Sequence, residues 1–247
     1  MRLVIAAIVT ALVGIPAAGA SPTCTPSTSG DDLILCTKFD DSVDAGAGDD
    51  FVKGRGGSDT LAGGPGDDRV FGGIGADTLT GDAGDDLLDG NADDDSLSGG
   101  EGDDHVRGGS GADVLAGGAG DDLVEGGEGD DEIHGGAGDD LLWGDEGDDV
   151  LHGESGADTV AGNGGNDLLY GHAGADKLRG GAGNDRIFPG RGRDSVWAGA
   201  GDDRIFGAGG GADHIVCGPG YDIVFGYTAD SIVRGCEEVW GPGLPTP

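Results

Sequence analysis

Gly117-Gly118-Ala119-Gly120-Asp121-Asp122-Leu123-Val124-Glu125 is the stretch that decides the fold. Its sixth position is aspartate and its eighth is aliphatic, and both recur every nine residues. Steps of nine from Asp50 meet Asp59, Asp68, Asp77, Asp86, Asp95, Asp104, Asp113, Asp122 and Asp131, then Asp140, Asp149, Asp158, Asp167, Asp176, Asp185, Asp194 and Asp203, without interruption. Two residues after each of these aspartates stands Val, Leu or Ile, from Val52 to Ile205. The fourth position is glycine in every one of these repeats except where Asp93 replaces it. The register decays outward. Asp41 with Val43 and Asp32 with Ile34 keep the period but lose most glycines. One residue is inserted in the run Gly209-Gly210-Gly211. Asp213 with Ile215 and Asp222 with Val224 then resume the period, and Asp230 with Ile232 is a last echo. A fixed short period over most of a chain predicts a solenoid with atypical ends.

The bulk composition taken alone describes disorder. The 247 residues include 58 glycines and 9 prolines, and the formal net charge is -35. Low apolar content with high charge leaves too little buried surface to offset roughly 1–2 kcal/mol of backbone entropy per residue. An ordinary globular enzyme with a large core is excluded. Only 13 lysines and arginines are present, too few and too scattered to bind phosphates, which argues against a nucleic-acid partner. Glycine shows no three-residue period, so collagen is excluded. The acidic balance asks for cations.

The unit G-G-x-G-x-D-x-U-x, with U a large apolar residue, resembles the calcium-binding RTX nonapeptide. The likeness covers roughly residues 30–225, and the whole chain resembles small secreted RTX-repeat, or haemolysin-type, calcium-binding proteins. The resemblance implies an all-β fold, a parallel β-roll or β-solenoid. The first six residues of each repeat would make a turn and the last three a short strand. Two repeats would complete a coil, giving about ten or eleven calcium-stabilised coils with disulfide-bearing ends. It also implies calcium between turns eighteen residues apart.

Elementary chemistry points the same way. Glycine tolerates the positive φ of a tight turn, and calcium takes six to eight oxygens at roughly 2.3–2.6 Å. Turn carbonyls plus aspartates of two facing loops can supply them. The eighteen aspartates from Asp50 to Asp203, together with Asp213 and Asp222, are therefore the candidate metal ligands. Two rows of turns offer up to about eighteen Ca2+ positions by this coordination arithmetic. Metal binding and folding are expected to be one event. The affinity expected of an extracellular module is about 10⁻⁴–10⁻³ M, so the chain would fold after export. The weakest loops are those of Asp41 (no glycine before it), Asp95 (Asp93), Asp194 (Pro189, Arg191 and Arg193) and Asp213 (the insertion). The second acid at position five, as in Asp121, Asp130, Asp139 and Asp148, reads as a solvated charged face.

Residues 1–20 read as a signal peptide. Arg2 precedes an apolar stretch from Leu3 to Ile15, and Ala18-Gly19-Ala20 forms an A-x-A cleavage site. The expected remainder is a cysteine-bearing leader over 21–31, the β-roll over 32–225, a degenerate cap over 226–240 and a disordered tail over 241–247. The expected location is secreted, without membrane insertion. Cys24, Cys36, Cys217 and Cys236 allow three connectivities, which sequence leaves open. Local pairing of Cys24 with Cys36 and Cys217 with Cys236 is the simplest.

Position nine points outward, and one column reads Ala116, His134, His152, Tyr170, Phe188, Phe206 and, past the insertion, Phe225. The opposite column carries Phe71, Trp143 and Trp197. Stacked rings that stabilise thin coils are preferred to a sugar- or protein-binding strip. His134 and His152 read as paired surface histidines, since no third ligand for a transition metal is evident. No HExxH or GxSxG occurs, and no effector domain is expected beside the repeats. A structural or adhesive role outside the cell, at the envelope or a polysaccharide surface, is expected. The alternatives are a carbohydrate-modifying enzyme or toxin on this scaffold, or a plain calcium buffer.

Overall fold

A computed structural model describes Cys24 and residues 28–207, 211–226 and 232–241. The expected signal peptide, the echo at Asp230 and the tail beyond Gly241 lie outside the described residues. Those residues contain no helix. Their strands form two twelve-stranded parallel sheets, with successive strands alternating between the sheets. Each strand therefore pairs with the next but one. Val124 pairs with Leu142 and Leu115 with Ile133, eighteen residues on. Two nonapeptides make one coil, and the chain winds through about eleven turns of a parallel β-solenoid.

The strands are longer than the three residues expected. Most run six, as in Leu123–Glu128, Glu132–Ala137 and Leu141–Glu146. Through the regular part of the roll every coil has the same length, so positions two and three also pair with their counterparts: Gly127 with Asp145 and Glu128 with Glu146. Only the first glycine drops out of the ladder, where the chain bends. The turn is thus confined to positions four to six, and position four still donates its N–H to the next coil, as from Gly129 to the Glu146 carbonyl at 2.8 Å. Where Pro189 or the inserted residue disturbs this corner, the neighbouring strands shorten to Arg186–Phe188 and Arg204–Phe206.

Glycine answers two separate demands. Positions two and four take positive φ, as at Gly127 (121°) and Gly129 (124°), a region open to glycine at little cost. The backbone holds this form even where glycine is absent, at Asp93 (77°), Glu154 (73°) and His172 (66°). Position one needs glycine for space, as the metal centre shows below.

The core is one aliphatic side chain per repeat. Position eight is sealed along the whole roll, with Val106, Leu115, Val124, Ile133 and Leu142 all 0% exposed. Disulfides join Cys24 to Cys36 and Cys217 to Cys236, with Cys36 and Cys217 buried at the two ends of the core. The inserted residue is absorbed by a nineteen-residue step, Val196 pairing with Ile215.

Candidate metal centre

The position-six aspartates stand in two internal columns. One runs through Asp50, Asp68, Asp86, Asp104, Asp122, Asp140, Asp158, Asp176, Asp194 and Asp213. The other runs through Asp59, Asp77, Asp95, Asp113, Asp131, Asp149, Asp167, Asp185, Asp203 and Asp222. None is more than 4% exposed. Within a column, each carboxylate Oδ1 accepts the backbone N–H of the aspartate one coil earlier. Asp104 donates to Asp122 at 2.8 Å, and Asp122 to Asp140 at 2.9 Å. The other oxygen is left over. In all eighteen aspartates from Asp50 to Asp203, Oδ2 is buried without a hydrogen-bond partner. A buried, unpartnered carboxylate oxygen is costly unless a cation meets it.

Oδ2 is aimed at a defined space. A Cβ built on Gly54 would lie 2.3 Å from Asp59 Oδ2 and 2.5 Å from the Gly72 carbonyl oxygen of the next coil. At Gly126 the same atoms are Asp131 Oδ2 at 2.3 Å and Gly144 O at 2.8 Å. Where glycine holds position one it keeps open a space beside the Oδ2 carboxylate oxygen, and at most of these glycines a carbonyl oxygen of the next coil converges on the same space. Burial pushes these carboxyls up, the backbone N–H bond offsets part of the rise, and neighbouring column carboxylates add to it. Asp131, Asp140, Asp149 and Asp167 reach about 7, and Asp68, Asp104 and Asp122 about 6. The donor set is all hard oxygen, partly ionised and repeated at each coil. That set fits a hard divalent cation of calcium type.

The sequence matches the profile of the RTX calcium-binding nonapeptide repeat (4 copies) in overlapping segments that run from residue 27 to residue 210. The chain belongs to this family. Its RTX repeats imply calcium binding, and the RTX roll is a structural calcium-binding scaffold. No curated protein matches the sequence.

The doubtful loops of the RTX roll divide. Asp95 keeps the common arrangement, accepting Asp77 N–H at 2.7 Å and facing Gly90 with Oδ2. Asp194 also holds its column bond, from Asp176 at 3.0 Å, although Pro189 replaces the first glycine. Asp213 accepts the Asp194 N–H at 3.1 Å across the insertion. Asp41 is different: Thr37 N–H and Oγ1 both donate to its Oδ2 at 2.8 Å, which closes its turn on itself. Asp222 likewise accepts Gly218 N–H on Oδ2.

The sequence reading missed a second set of contacts. Position-five carboxylates are exposed, but each accepts the N–H of the position-five residue one coil later. Asp139 donates to Asp121 and Asp121 to Asp103, at 2.8 and 2.9 Å. This outer ladder runs opposite to the inner one. The recurrence of Asp31, Asp49, Asp67, Asp85, Asp103, Asp121 and Asp139 at eighteen-residue steps was the available signal.

The aromatic column is a continuous stack. Ring centroids lie 4.8 Å apart for His134–His152, 4.6 Å for His152–Tyr170, 4.9 Å for Tyr170–Phe188, 4.5 Å for Phe188–Phe206 and 5.1 Å for Phe206–Phe225. The ring faces cover one another and leave edges outward, which favours stabilisation over sugar stacking. The opposite column has no such stack: Trp197 lies under the Arg179 guanidinium, and Phe71 meets Phe51. Cys24, Cys36 and Asp41 cluster closely, but both sulfurs belong to a disulfide and offer no thiolate. No helix among the described residues is long and apolar enough to cross a membrane.

Proposed function

We propose that the position-six aspartates from Asp50 to Asp203, with Asp213 and Asp222, hold Ca2+ between successive coils, and that this binding folds the chain after export. The eighteen buried, unpartnered Oδ2 atoms carry the reading. When bound, calcium supplies the positive charge and the electron-pair acceptor that these oxygens lack. The chain supplies the rest. The first glycine keeps the cleft open, position four bends the turn, and the Oδ1 bond fixes the carboxylate across the coil. Sites whose first residue carries a Cβ are the weakest: those of Asp50 (Ala45), Asp194 (Pro189), Asp203 (Ala198) and Asp222 (Cys217). Asp222 is weakened further because both its oxygens are hydrogen-bonded. Up to about eighteen ions fit by coordination arithmetic, enough to offset the -35 charge.

The remaining organisation follows from the same reading. Residues 1–20 direct export, 21–31 form the leader, 32–225 the roll, 226–240 the cap and 241–247 the tail. The two disulfides suit an oxidising compartment. The role is structural or adhesive outside the cell, since the long face is repetitive.

Counting bound calcium by equilibrium dialysis tests the ligand assignment. Asp131→Asn should lower the count, whereas Asp130→Asn, one residue away on the outer ladder, should not. Equal counts in both variants would remove the inner column from the ligand set. Co-sedimentation with envelope polysaccharide, with calcium and with chelator, tests the adhesive role, which requires calcium-dependent retention.

A further inference from the structure

His134, His152 and His172 gather on the outer face of the sheet that bears the aromatic stack, and calcium chemistry does not use them. Two of their neighbours sit at unusual places. Glu154 and His172 both occupy position two, where the backbone is left-handed, at φ 73° and 66°. Glycine holds this position in most repeats. Each of the two reaches back one coil to an imidazole at position nine. Glu154 Oε1 meets His134 Nδ1 at 3.1 Å, and His172 Nε2 meets His152 Nδ1 at 3.0 Å. Both spans cover twenty residues, so the same geometric device is used twice in succession.

The His152–His172 pair is close to a chelating geometry. Two nitrogens bound tetrahedrally at roughly 2.0–2.1 Å from zinc lie about 3.3–3.4 Å apart. The observed 3.0 Å is a few tenths of an ångström short of that, and the two rings, whose planes differ by 23°, must also turn so that both lone pairs point at one ion. The His152 ring is held between His134 and Tyr170, with interplanar angles of 4° on both sides. Glu154 stands one coil before His172 at the same repeat position; its carboxylate is held by His134 in the structure and would have to leave that contact to provide an oxygen. Glu132 keeps His134 occupied at Nε2, 3.2 Å away.

We propose that His152 Nδ1 and His172 Nε2, with the Glu154 carboxylate, form a binding site for a divalent transition-metal ion of the zinc class, separate from the calcium columns. Imidazole nitrogen selects such ions over calcium, which takes oxygen. On binding, the imidazole that donates within the pair moves its proton to its other ring nitrogen. Both facing nitrogens then offer lone pairs, with no net proton lost.

The test is titration of the full chain, saturated with calcium, with Zn2+ by calorimetry and with Co2+ by visible absorption. One nitrogen-ligated site is expected. His172→Gly restores the residue that suits the left-handed backbone, so the roll is kept, and it should weaken Zn2+ binding at least tenfold without changing the calcium count. His152→Gln should do the same, whereas His105→Gln, on the other sheet, should have no effect. Zn2+ affinity unchanged in both His172→Gly and His152→Gln, or no site at all in the parent chain, overturns the proposal.

Discussion

Acid should fold the metal-free roll. The perturbation is a shift from pH 8 to pH 5 in protein stripped of calcium. Asp131 is 2% exposed, and burial raises its carboxyl from 3.8 to about 7. At 1.36 kcal/mol per pH unit, keeping it ionised in the folded state costs about 4 kcal/mol at pH 8. Fourteen column carboxyls are raised to about 6 or 7. A fraction of that collective cost exceeds the roughly 5–15 kcal/mol that holds a typical domain folded. Because the folded values lie above the unfolded ones, the stabilising contribution is complete below about pH 3.8 and is lost as pH rises through 6 to 7. Far-UV circular dichroism of metal-free protein should therefore gain β signal as pH falls from 8 to 5. Bound calcium reverses the trend, since its ligands must be ionised, and calcium should be released over the same interval. A metal-free signal that stayed flat, or weakened on acidification, would refute the claim that buried column charge is what opposes folding.

Other substitutions probe separate parts of the roll. Gly126→Ala places a Cβ 2.3 Å from Asp131 Oδ2. It should cost about 1–3 kcal/mol in chemical denaturation with calcium present, by displacing a buried acceptor. Gly164→Ala, whose nearest neighbour is Asp145 O at 3.5 Å, should stay within about 0.5 kcal/mol. Phe206→Ala removes a ring stacked on both Phe188 and Phe225. It should lower stability by about 2 kcal/mol in thermal melts, from two ring contacts and lost area. Replacing Cys217 and Cys236 together by serine should cost about 2–4 kcal/mol, read as earlier loss of β signal on heating.

The solenoid, its eighteen-residue coil and its aliphatic core are written in the nine-residue recurrence of Asp122 and Val124, because one identical unit can only stack on itself. The likeness to RTX repeats supplied the handedness of the reading: parallel strands and calcium. Strand length was less legible. Glycine at position two looks like a turn residue, but equal coil lengths bring Gly127 opposite Asp145 and extend the ladder. The role of the first glycine was also hidden. It guards space beside Asp131 Oδ2, which depends on where the carboxylate folds back. The third member of the histidine cluster, His172, escaped notice because it stands at position two, two residues away from the outward column that His134 and His152 share.

Calcium titration of the metal-free chain at pH 8, followed together by far-UV circular dichroism and calorimetry, is the most direct test of the account. An unfolded spectrum in chelator should convert cooperatively to β structure as calcium is added, with many ions taken up per chain over the same concentration range. Full β structure in excess chelator at that pH, with calcium binding later or not at all, would contradict it.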